Sequence, residues 1–266
     1  MTRSSPIARV LLALALGFAA ATMVSAPGCT SSGRQAASPR VTPSAPTPAQ
    51  LEGLPVCRIL TPWGGLGSGV PLSDDTLITC RHCLPRARGG SDDGGRTPLR
   101  IDIDGTRRTF ELLAAGQSRD GKDDWAVIRV SPPGLPPAAA IDPSRRLRDG
   151  EPVYLCGYWP GEGRRPDRDE LRSLEPRVIR ATSVTVQGTG KLPSDITIFA
   201  QVGPADIFRG MSGGPAAVWD SAKQRLVVVG IYLGTTEFES GQPEHVGRVQ
   251  VIRRIPAEAL AAKATP

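Results

Sequence analysis

The sequence predicts an all-β fold, and three features of the chain indicate it. Short runs rich in β-branched residues recur from Val56 onward and are broken by Gly, Pro and Asp. These runs do not alternate with long helical segments, which argues against a doubly wound α/β fold. Only the Ala-rich segment Pro256–Lys263 has a helical composition. Regularly spaced short strands with turn residues between them are typical of a β-sandwich or a β-barrel.

The strands are expected as a regular series along the folded part of the chain. They are predicted at Cys57–Leu60, Ser68–Leu72, Thr76–Thr79, Leu99–Ile103, Thr109–Leu113, Trp125–Val130, Val153–Gly157, Val178–Val186, Ile196–Gln201, Ala216–Trp219, Leu226–Tyr232 and Val246–Ile252. The segment Gly161–Glu175 is charged and contains Gly and Pro. This composition predicts a surface loop between two of the strands.

The composition is that of a globular chain that can bury a sizeable core. Hydrophobic residues make up 39% and charged residues 22% of the 266 residues. Two histidines and five cysteines exclude a His-rich metal protein and a dense disulfide scaffold. The net charge is +6 without a strong basic run, and 5% of the residues are aromatic. Nucleic-acid binding is therefore not expected.

The first 28 residues are predicted to be an export signal. Arg3 and Arg9 form a positive start, and Val10–Val24 is an uncharged apolar run. This run is shorter than the roughly 20 apolar residues that a membrane-spanning helix needs. It therefore fits the core of a signal peptide better than a transmembrane segment.

The end of this signal carries a cysteine. Small residues at Ser25–Gly28 lead to Cys29, which resembles the bacterial lipoprotein signal, in which such a cysteine becomes the lipidated N-terminus. Ala26 and Pro27 depart from the usual pattern, so cleavage near Ala26 that leaves Cys29 as a plain thiol is the alternative. The resemblance implies a cell-envelope lipoprotein that faces the periplasm or the exterior and binds the membrane through its lipid. Otherwise the protein is secreted.

Residues 29–50 are predicted to be a disordered tether. Ser, Thr, Pro and Ala fill 15 of the 21 positions from residue 30 to residue 50. Such a segment cannot bury enough apolar surface to offset the entropy lost on ordering it. The folded domain is therefore assigned to residues 51–266.

Gly210–Pro215, with the sequence Gly-Met-Ser-Gly-Gly-Pro, is the strongest chemical signal. A serine flanked by glycines has room for a substrate backbone and for N–H groups directed at a developing oxyanion. Such strings also occur in plain turns. The pattern satisfies the G-x-S-x-G elbow of α/β-hydrolases as well, but that elbow requires a helix after the serine. Pro215 and the β-rich sequence after it make a helix there unfavourable.

A nucleophilic serine needs a base, and the chain offers two histidines. His82 follows an apolar strand, whereas His245 lies in a polar turn and is interpreted as a solvated loop residue. Cys80 and Cys83 lie close to His82, so a structural or metal-binding role is the alternative for this histidine. No second ligand cluster completes a four-ligand zinc site in the sequence, and no metal or cofactor is expected.

The third group would be a carboxylate that orients the histidine. Asp124 leads directly into the strand-like sequence Trp-Ala-Val-Ile, and Asp123 beside it is the competing assignment. Because side chains alternate faces along a strand, one of the two can point at His82. A solvated turn acid is the alternative interpretation of either residue.

Three motifs together resemble the chymotrypsin-like (trypsin-like) serine proteases. Thr79–Cys83 looks like the T-A-A-H-C motif of that family, Asp124–Ile128 like its D-I-A-L-L motif, and Gly210–Pro215 like its G-D-S-G-G-P motif. Gly67–Val70 also resembles the G-S-G-[FV] strand of the bacterial HtrA-type branch. The resemblance implies a double six-stranded β-barrel with a short C-terminal helix in residues 51–266. No PDZ-like domain is expected after it.

The resemblance also implies a mechanism. Ser212 would be the nucleophile, His82 its base, and Asp124 the group that orients His82. The N–H groups of Gly210 and Ser212 would form the oxyanion hole.

Two further features rest on the resemblance alone. A disulfide between Cys57 and Cys83 would lie beside the histidine, with Cys80 and Cys156 as a second bridge or as buried thiols. Asp206, six residues before Ser212, would lie at the base of the substrate pocket and select Lys or Arg. The alternative is that Asp206 forms a local ion pair with Arg209 and that the pocket prefers small or aliphatic residues.

The leading hypothesis is an exported serine endopeptidase that acts on protein or peptide substrates through an acyl-enzyme. A catalytically silent binding module with the same fold is one alternative. An α/β-hydrolase esterase that uses Ser212, Asp220 and His245 is the other.

Overall fold

Two closed β-barrels of six strands each form the body of the protein. The computed structural model describes residues 45–85, 100–116, 123–148, 150–161, 166–184, 197–201, 210–236, 246–252 and 255–261. The prediction of an all-β, double-barrel fold is confirmed. The predicted signal peptide, Cys29 and the first part of the predicted tether lie outside these residues.

The first barrel is built from the N-terminal half of the folded chain. Its strands are β1 (Cys57–Leu60), β2 (Leu66–Pro71), β3 (Thr76–Thr79), β4 (Arg100–Ile103), β5 (Thr106–Ala115) and β6 (Ala126–Ser131). They follow the order β1-β2-β3-β6-β5-β4, and the pairing of Ile59 with Ile103 closes the barrel. Inward-facing aliphatic side chains such as Leu77, Ile101 and Ile128 fill its interior and are buried.

The second barrel repeats this arrangement in the C-terminal half. Its strands are β7 (Pro152–Tyr158), β8 (Pro176–Val184), β9 (Thr197–Gln201), β10 (Pro215–Asp220), β11 (Arg225–Thr236) and β12 (Val246–Val251). They follow the order β10-β11-β12-β9-β8-β7, and the pairing of Ala216 with Leu155 closes the barrel. Val153, Val229 and Val249 are buried in its interior.

A third apolar cluster joins the two barrels. Val70, Ile78 and Val127 of the first barrel share it with Tyr154 and Leu233 of the second. Burial of each large aliphatic side chain contributes about 1.5–3 kcal/mol. This shared cluster therefore fixes the two barrels against each other, and it lies next to the loops that carry the candidate site.

Helix α1 (Pro48–Glu52) begins inside the segment predicted to be a disordered tether. Thr47 caps it, with a reciprocal capping box between Thr47 and Gln50, and Pro48 occupies the first turn. Leu51 and Leu54 pack on the shared apolar cluster. The predicted boundary at residue 50 is therefore corrected, because capping and apolar burial order the chain from Thr47 onward.

Helix α2 (Arg168–Arg172) corrects the loop predicted at Gly161–Glu175. Asp167 caps it, and Arg172 forms an ion pair of 3.2 Å with the buried Asp102 of the first barrel. The C-terminal helix α3 (Ala257–Leu260) confirms the helical prediction there but is shorter than expected. Within the described ranges, no helix has the length and apolar character needed to cross a membrane.

Candidate active site

His82 and Asp124 meet at the ends of two paired strands. Strands β3 and β6 are antiparallel neighbours, with Thr79 opposite Ala126. His82 lies in a short 3₁₀ helix (Arg81–Cys83) just after β3, and Asp124 lies just before β6. The 3₁₀ helix ends at Cys83, because Leu84 precedes a proline and takes an extended conformation. The strand register therefore brings the two side chains to the same edge of the first barrel.

The carboxylate of Asp124 holds His82 at two points. One oxygen, Oδ2, contacts the ring nitrogen Nδ1, and the other, Oδ1, accepts a hydrogen bond of 3.0 Å from the His82 backbone N–H. The backbone N–H of Arg81 also donates to the Asp124 carbonyl, at 3.3 Å. Contact through Nδ1 leaves Nε2 as the ring nitrogen that can serve a neighbouring nucleophile. The acid that contacts His82 is Asp124, not the adjacent Asp123.

This pairing changes the protonation of the histidine. The hydrogen bond with Asp124, followed by one with Cys83, raises the pKa of His82 from 6.5 to about 10. The side chain of His82 is nonetheless 47% exposed, so water and a substrate can reach it. The contact with Asp124 therefore favours the protonated ring, which has to lose a proton before His82 can act as a base.

Ser212 lies on a glycine turn that leads into β10 of the second barrel. Gly213 has a φ of 87°, and an added Cβ there would lie 2.2 Å from both Ser68 O and Thr79 Oγ1. The N–H of Gly213 donates to Tyr232 O at 2.7 Å, which fixes the turn to strand β11. Glycine is required at this position, both for the backbone conformation and for the close approach of the first barrel.

The hydroxyl of Ser212 is bound to a backbone carbonyl of the second barrel. Its Oγ donates a hydrogen bond of 3.3 Å to the carbonyl of Leu233. Between the described side chains of Ser212 and His82 there is no hydrogen bond. In this structure the Ser212 hydroxyl is therefore engaged by the Leu233 carbonyl and not by His82.

The predicted oxyanion donors lie on the same turn. Among the described residues, the N–H groups of Gly210 and Ser212 donate to no other group, whereas those of Gly213 and Gly214 are both used. Gly210 has a φ of 105°, and an added Cβ would lie 2.4 Å from the Leu66 side chain. The unused N–H groups are available to an incoming carbonyl oxygen.

Ser68 lies in the Gly67–Val70 motif, but the sequence predicted no role for its side chain in the site. It is fully buried on β2 and donates twice to the serine turn: its N–H to Ser212 O at 2.8 Å and its Oγ to Gly210 O at 2.8 Å. Its Oγ also accepts from the Tyr158 N–H at 3.2 Å. A buried serine between two glycines inside an apolar strand was the signal that could have identified it.

The predicted disulfide between Cys57 and Cys83 is not formed. All four cysteines of the described chain are free thiols. Cys57 lies on β1, where its thiol is hydrogen-bonded to Asp104. The strand position that approaches Cys83 is instead Gly67 on β2, where an added Cβ would lie 2.7 Å from the Cys83 Sγ. Cys57 therefore lies on β1, whereas a bridge to Cys83 would need a cysteine at the position of Gly67 on β2.

Cys80, His82 and Cys83 form one cluster of possible metal ligands. Their ligand atoms lie within 4.8 Å of one another, and it is the one such group within the described ranges. Three ligands, two of them buried thiols, do not complete the four-ligand tetrahedral set of a structural zinc site.

The esterase alternative is excluded by the fold. An α/β-hydrolase elbow places a helix after the serine, whereas here strand β10 follows Ser212. Asp220 lies at the far end of that strand and pairs with Lys223 at 3.1 Å. His245 and Asp206 lie outside the described residues, so the predicted substrate pocket stays a prediction.

Two six-stranded barrels, with a histidine–aspartate pair on one and a glycine-flanked serine on the other, define the two-barrel class of peptidases. The sequence profile of the trypsin-like peptidase domain matches residues 67–231, and the chain belongs to this family. The family resemblance is thereby confirmed. The resemblance of the chain to the HtrA-type branch rests on Gly67–Val70 and on Leu77–Thr79 after it.

Solved structures show the same fold. The Rv3671c protease in an inactive form has a TM-score of 0.51 and 17% identity, covering 83% of this chain and 98% of that chain. Rv3671c from M. tuberculosis H37Rv, as a serine-to-alanine mutant in an inactive form, has a TM-score of 0.51 and 16% identity. That alignment covers 84% of this chain and 98% of the other. Among curated proteins no sequence matches this chain.

Proposed function

We propose that the protein is a serine endopeptidase that hydrolyses peptide bonds through Ser212, His82 and Asp124. The observation that carries this proposal is the two-point contact between Asp124 and His82. A carboxylate that holds both the backbone and Nδ1 of a histidine fixes the ring orientation and, in the neutral ring, the tautomer in which Nε2 can accept a proton. A purely structural ion pair at the surface does not need this geometry.

The mechanism follows from these contacts. Ser212 Oγ leaves the Leu233 carbonyl, gives its proton to His82 Nε2 and attacks the scissile carbonyl carbon. The N–H groups of Gly210 and Ser212 then hold the developing oxyanion, an interaction worth roughly 3–4 kcal/mol in comparable sites. The imidazolium protonates the leaving amine, and water releases the acyl group by the same route in reverse. These steps require no metal or cofactor.

Labelling with a fluorophosphonate probe tests the nucleophile, and cleavage of a peptide library tests the reaction. The full chain should label at Ser212 and cleave peptides, and Ser212→Ala should do neither. His82→Ala should abolish both, while the matched variant His245→Ala should retain them. Activity that depends on His245 instead of His82 would contradict the assignment.

A catalytically silent binding module is the second candidate. The observation that favours it is the hydrogen bond from Ser212 Oγ to Leu233 O, which leaves the serine unactivated. Such a module would bind peptides with similar affinity in the wild type and in Ser212→Ala, and neither would be labelled. If the wild type were labelled at Ser212, that result by itself would reject the binding module.

We further propose that the peptidase is exported and tethered to the cell envelope by a lipid on Cys29. The support is the sequence of residues 1–28 and the Ser/Thr/Pro/Ala-rich segment after it. Growth with an alkyne-bearing fatty acid should label the protein, and Cys29→Ser should abolish labelling and release the protein from membranes. A second variant, Ser32→Cys in the Cys29→Ser background, controls for the mere presence of a cysteine in this segment. If this variant were labelled, Cys29 would not be the specific lipidation site.

A further inference from the structure

Two thiols bracket the candidate catalytic histidine. Cys80 and Cys83 are spaced as C-x-x-C around Arg81 and His82, and Cys80 stands where the resembling family motif has alanine. The turn between them is tight, since the Cys83 N–H donates to Cys80 O at 3.0 Å. Their two Sγ atoms and a ring nitrogen of His82 lie within 4.8 Å of one another. Rotation about the side-chain bonds can therefore bring the two sulfur atoms into bonding contact.

We propose that Cys80 and Cys83 form a dithiol site that peroxide oxidises to a disulfide, and that this disulfide inactivates the peptidase. The inactivation rests on the proposed function, whereas the oxidation does not. Cys83 is the attacking sulfur, and Cys80 is the sulfur that completes the bridge. The oxidant is a small peroxide such as hydrogen peroxide.

The surroundings give the two thiols different reactivity. Hydrogen bonds from Cys80 and from His82 lower the pKa of the Cys83 thiol, while burial raises that of Cys80. Cys83 is also the less buried of the two thiols, so it is the sulfur that a peroxide reaches first, and its thiolate is the form that reacts. Cys80 is fully buried, and Cys83 is 6% exposed beside the exposed His82. A small oxidant such as a peroxide can reach this site more readily than a bulky disulfide reagent can.

The reaction balances without a further reagent. The Cys83 thiolate attacks one peroxide oxygen, the O–O bond breaks, and Cys83 becomes a sulfenic acid while hydroxide leaves. The Cys80 sulfur then attacks the Cys83 sulfur, the S–O bond breaks, and the second hydroxide departs. Protons from the two thiols convert both hydroxides to water. Two thiols and one peroxide thus give one disulfide and two waters, and peroxide accepts the two electrons.

No other described cysteine competes for Cys83. The strand position beside it is Gly67, which has no side chain. Cys57 lies on a different strand, β1, where its thiol is hydrogen-bonded to Asp104. The nearest sulfur partner of Cys83 is therefore Cys80, with which it already shares a hydrogen bond.

The disulfide would act on the serine turn. In the reduced state, Cys83 Sγ donates to Ser212 O at 3.3 Å and Cys80 Sγ donates to Tyr232 O at 3.2 Å. Tyr232 O also accepts the N–H that fixes Gly213. A disulfide has no S–H group and draws the two sulfur atoms toward each other, so Cys83 Sγ leaves Ser212 O and Cys80 Sγ leaves Tyr232 O on β11 together. The sulfur beside His82 is also drawn toward Cys80, which disturbs the histidine.

Peptide mapping tests the oxidation independently of activity. The full chain carrying Cys29→Ser is treated with hydrogen peroxide, alkylated and digested with trypsin without reduction. Because trypsin cuts after Arg81, the expected bridge joins the peptides Ile59–Arg81 and His82–Arg86, with the mass of two hydrogens lost. A bridge to Cys57 or Cys156, oxidation of Cys83 without a bridge, or four unreacted thiols would each overturn the dithiol site.

Fluorophosphonate labelling of the same samples tests the inactivation. Oxidation should lower the labelling rate at Ser212 about tenfold or more, and dithiothreitol should restore it. Cys80→Ala and Cys83→Ala should resist peroxide, while the matched variant Cys57→Ala should respond as the wild type does. Full labelling of the bridged protein would overturn the inactivation. If the reduced wild type were never labelled, the proposed function would be rejected instead. Peptide mapping would still show whether Cys80 and Cys83 form the proposed disulfide.

Discussion

The hydroxyl of Ser68 in the first barrel donates a hydrogen bond of 2.8 Å to the carbonyl of Gly210 in the second. The backbone N–H of Ser68 donates to the carbonyl of Ser212, two residues further along the same turn, also at 2.8 Å. One residue of the barrel that carries His82 therefore fixes the turn that carries the nucleophile. Ser68 is a positioning residue in the proposed site, since it touches neither the substrate nor a reacting atom.

Ser68→Ala should lower the fluorophosphonate labelling rate and kcat by about tenfold or more while the fold persists. The loss of a buried hydrogen bond costs about 1–2 kcal/mol of unfolding free energy and loosens the Gly210–Met211 peptide, which lies between the two proposed oxyanion donors. The matched control is Ser183→Ala, which removes another buried serine hydroxyl, bonded to Arg148 O in the second barrel. A similar loss of kcat in both variants would show that Ser68 acts through stability alone.

Substitution of the three proposed catalytic groups should separate their roles. Ser212→Ala and His82→Ala should abolish peptide cleavage, and Ser212→Ala should do so with little change in unfolding free energy. Asp124→Asn should lower kcat by about 10⁴-fold, because the amide favours the wrong histidine tautomer. Asp123→Asn is the matched control for the neighbouring carboxylate and should retain kcat. The assignment of Asp124 is wrong if the two asparagine variants behave in the reverse way.

The pH dependence of kcat/KM should report the raised pKa of His82. The base must be neutral, and the hydrogen bond with Asp124 raises the pKa of His82 to about 10 in the free protein. Below that pKa the neutral fraction grows about tenfold per pH unit, so kcat/KM should rise steadily from pH 7 to pH 9. Asp124→Asn should move this rise to lower pH. A plateau reached at pH 7 in the wild type would contradict the prediction.

The same shift links pH to stability. The pKa of His82 is higher in the folded state than the ordinary value of 6.5. The pair with Asp124 therefore makes its full contribution to the stability of the fold when the pH is below 6.5. This contribution is lost as the pH rises through about 10. Urea unfolding at several pH values should show the loss in the wild type but not in His82→Gln.

Substrate selection is predicted from Asp206, six residues before Ser212. The trypsin-like resemblance implies an acid at the base of the primary pocket, where it would pair with a substrate Lys or Arg. A panel of peptides that differ only in the residue before the cut should favour Arg, and Asp206→Ser should remove that preference. Equal cleavage after Ala or Val by the wild type would support the alternative, a local pair of Asp206 with Arg209.

The strands could be predicted because their signals are local. Short runs rich in β-branched and apolar residues, with turn residues between them, locate β1 and β3 at the observed bounds, Cys57–Leu60 and Thr76–Thr79. The three catalytic motifs are short and also local. Their sequence order pointed to the family that the structure and the profile match then confirmed.

Features that depend on contacts between distant residues could not be predicted in this way. The tether composition of residues 29–50 concealed the capping box of Thr47 and Gln50, whose helix is held by apolar burial against the barrels. The failed Cys57–Cys83 pairing depends on which strand of the barrel approaches Cys83. The rotamer of Ser212 depends on the carbonyl of Leu233, on a strand that the local motif does not include.

Each barrel is made from one continuous stretch of chain, and this has a consequence for biosynthesis. The first barrel ends with β6 at Ser131, long before Ser212 is added to the nascent chain. N-terminal units generally fold first during translation. Under the proposed mechanism, a polypeptide released early from the ribosome carries His82 and Asp124 but no nucleophile. Such a chain cannot carry out the proposed cleavage, so peptidase activity would arise only once the C-terminal half has been synthesised.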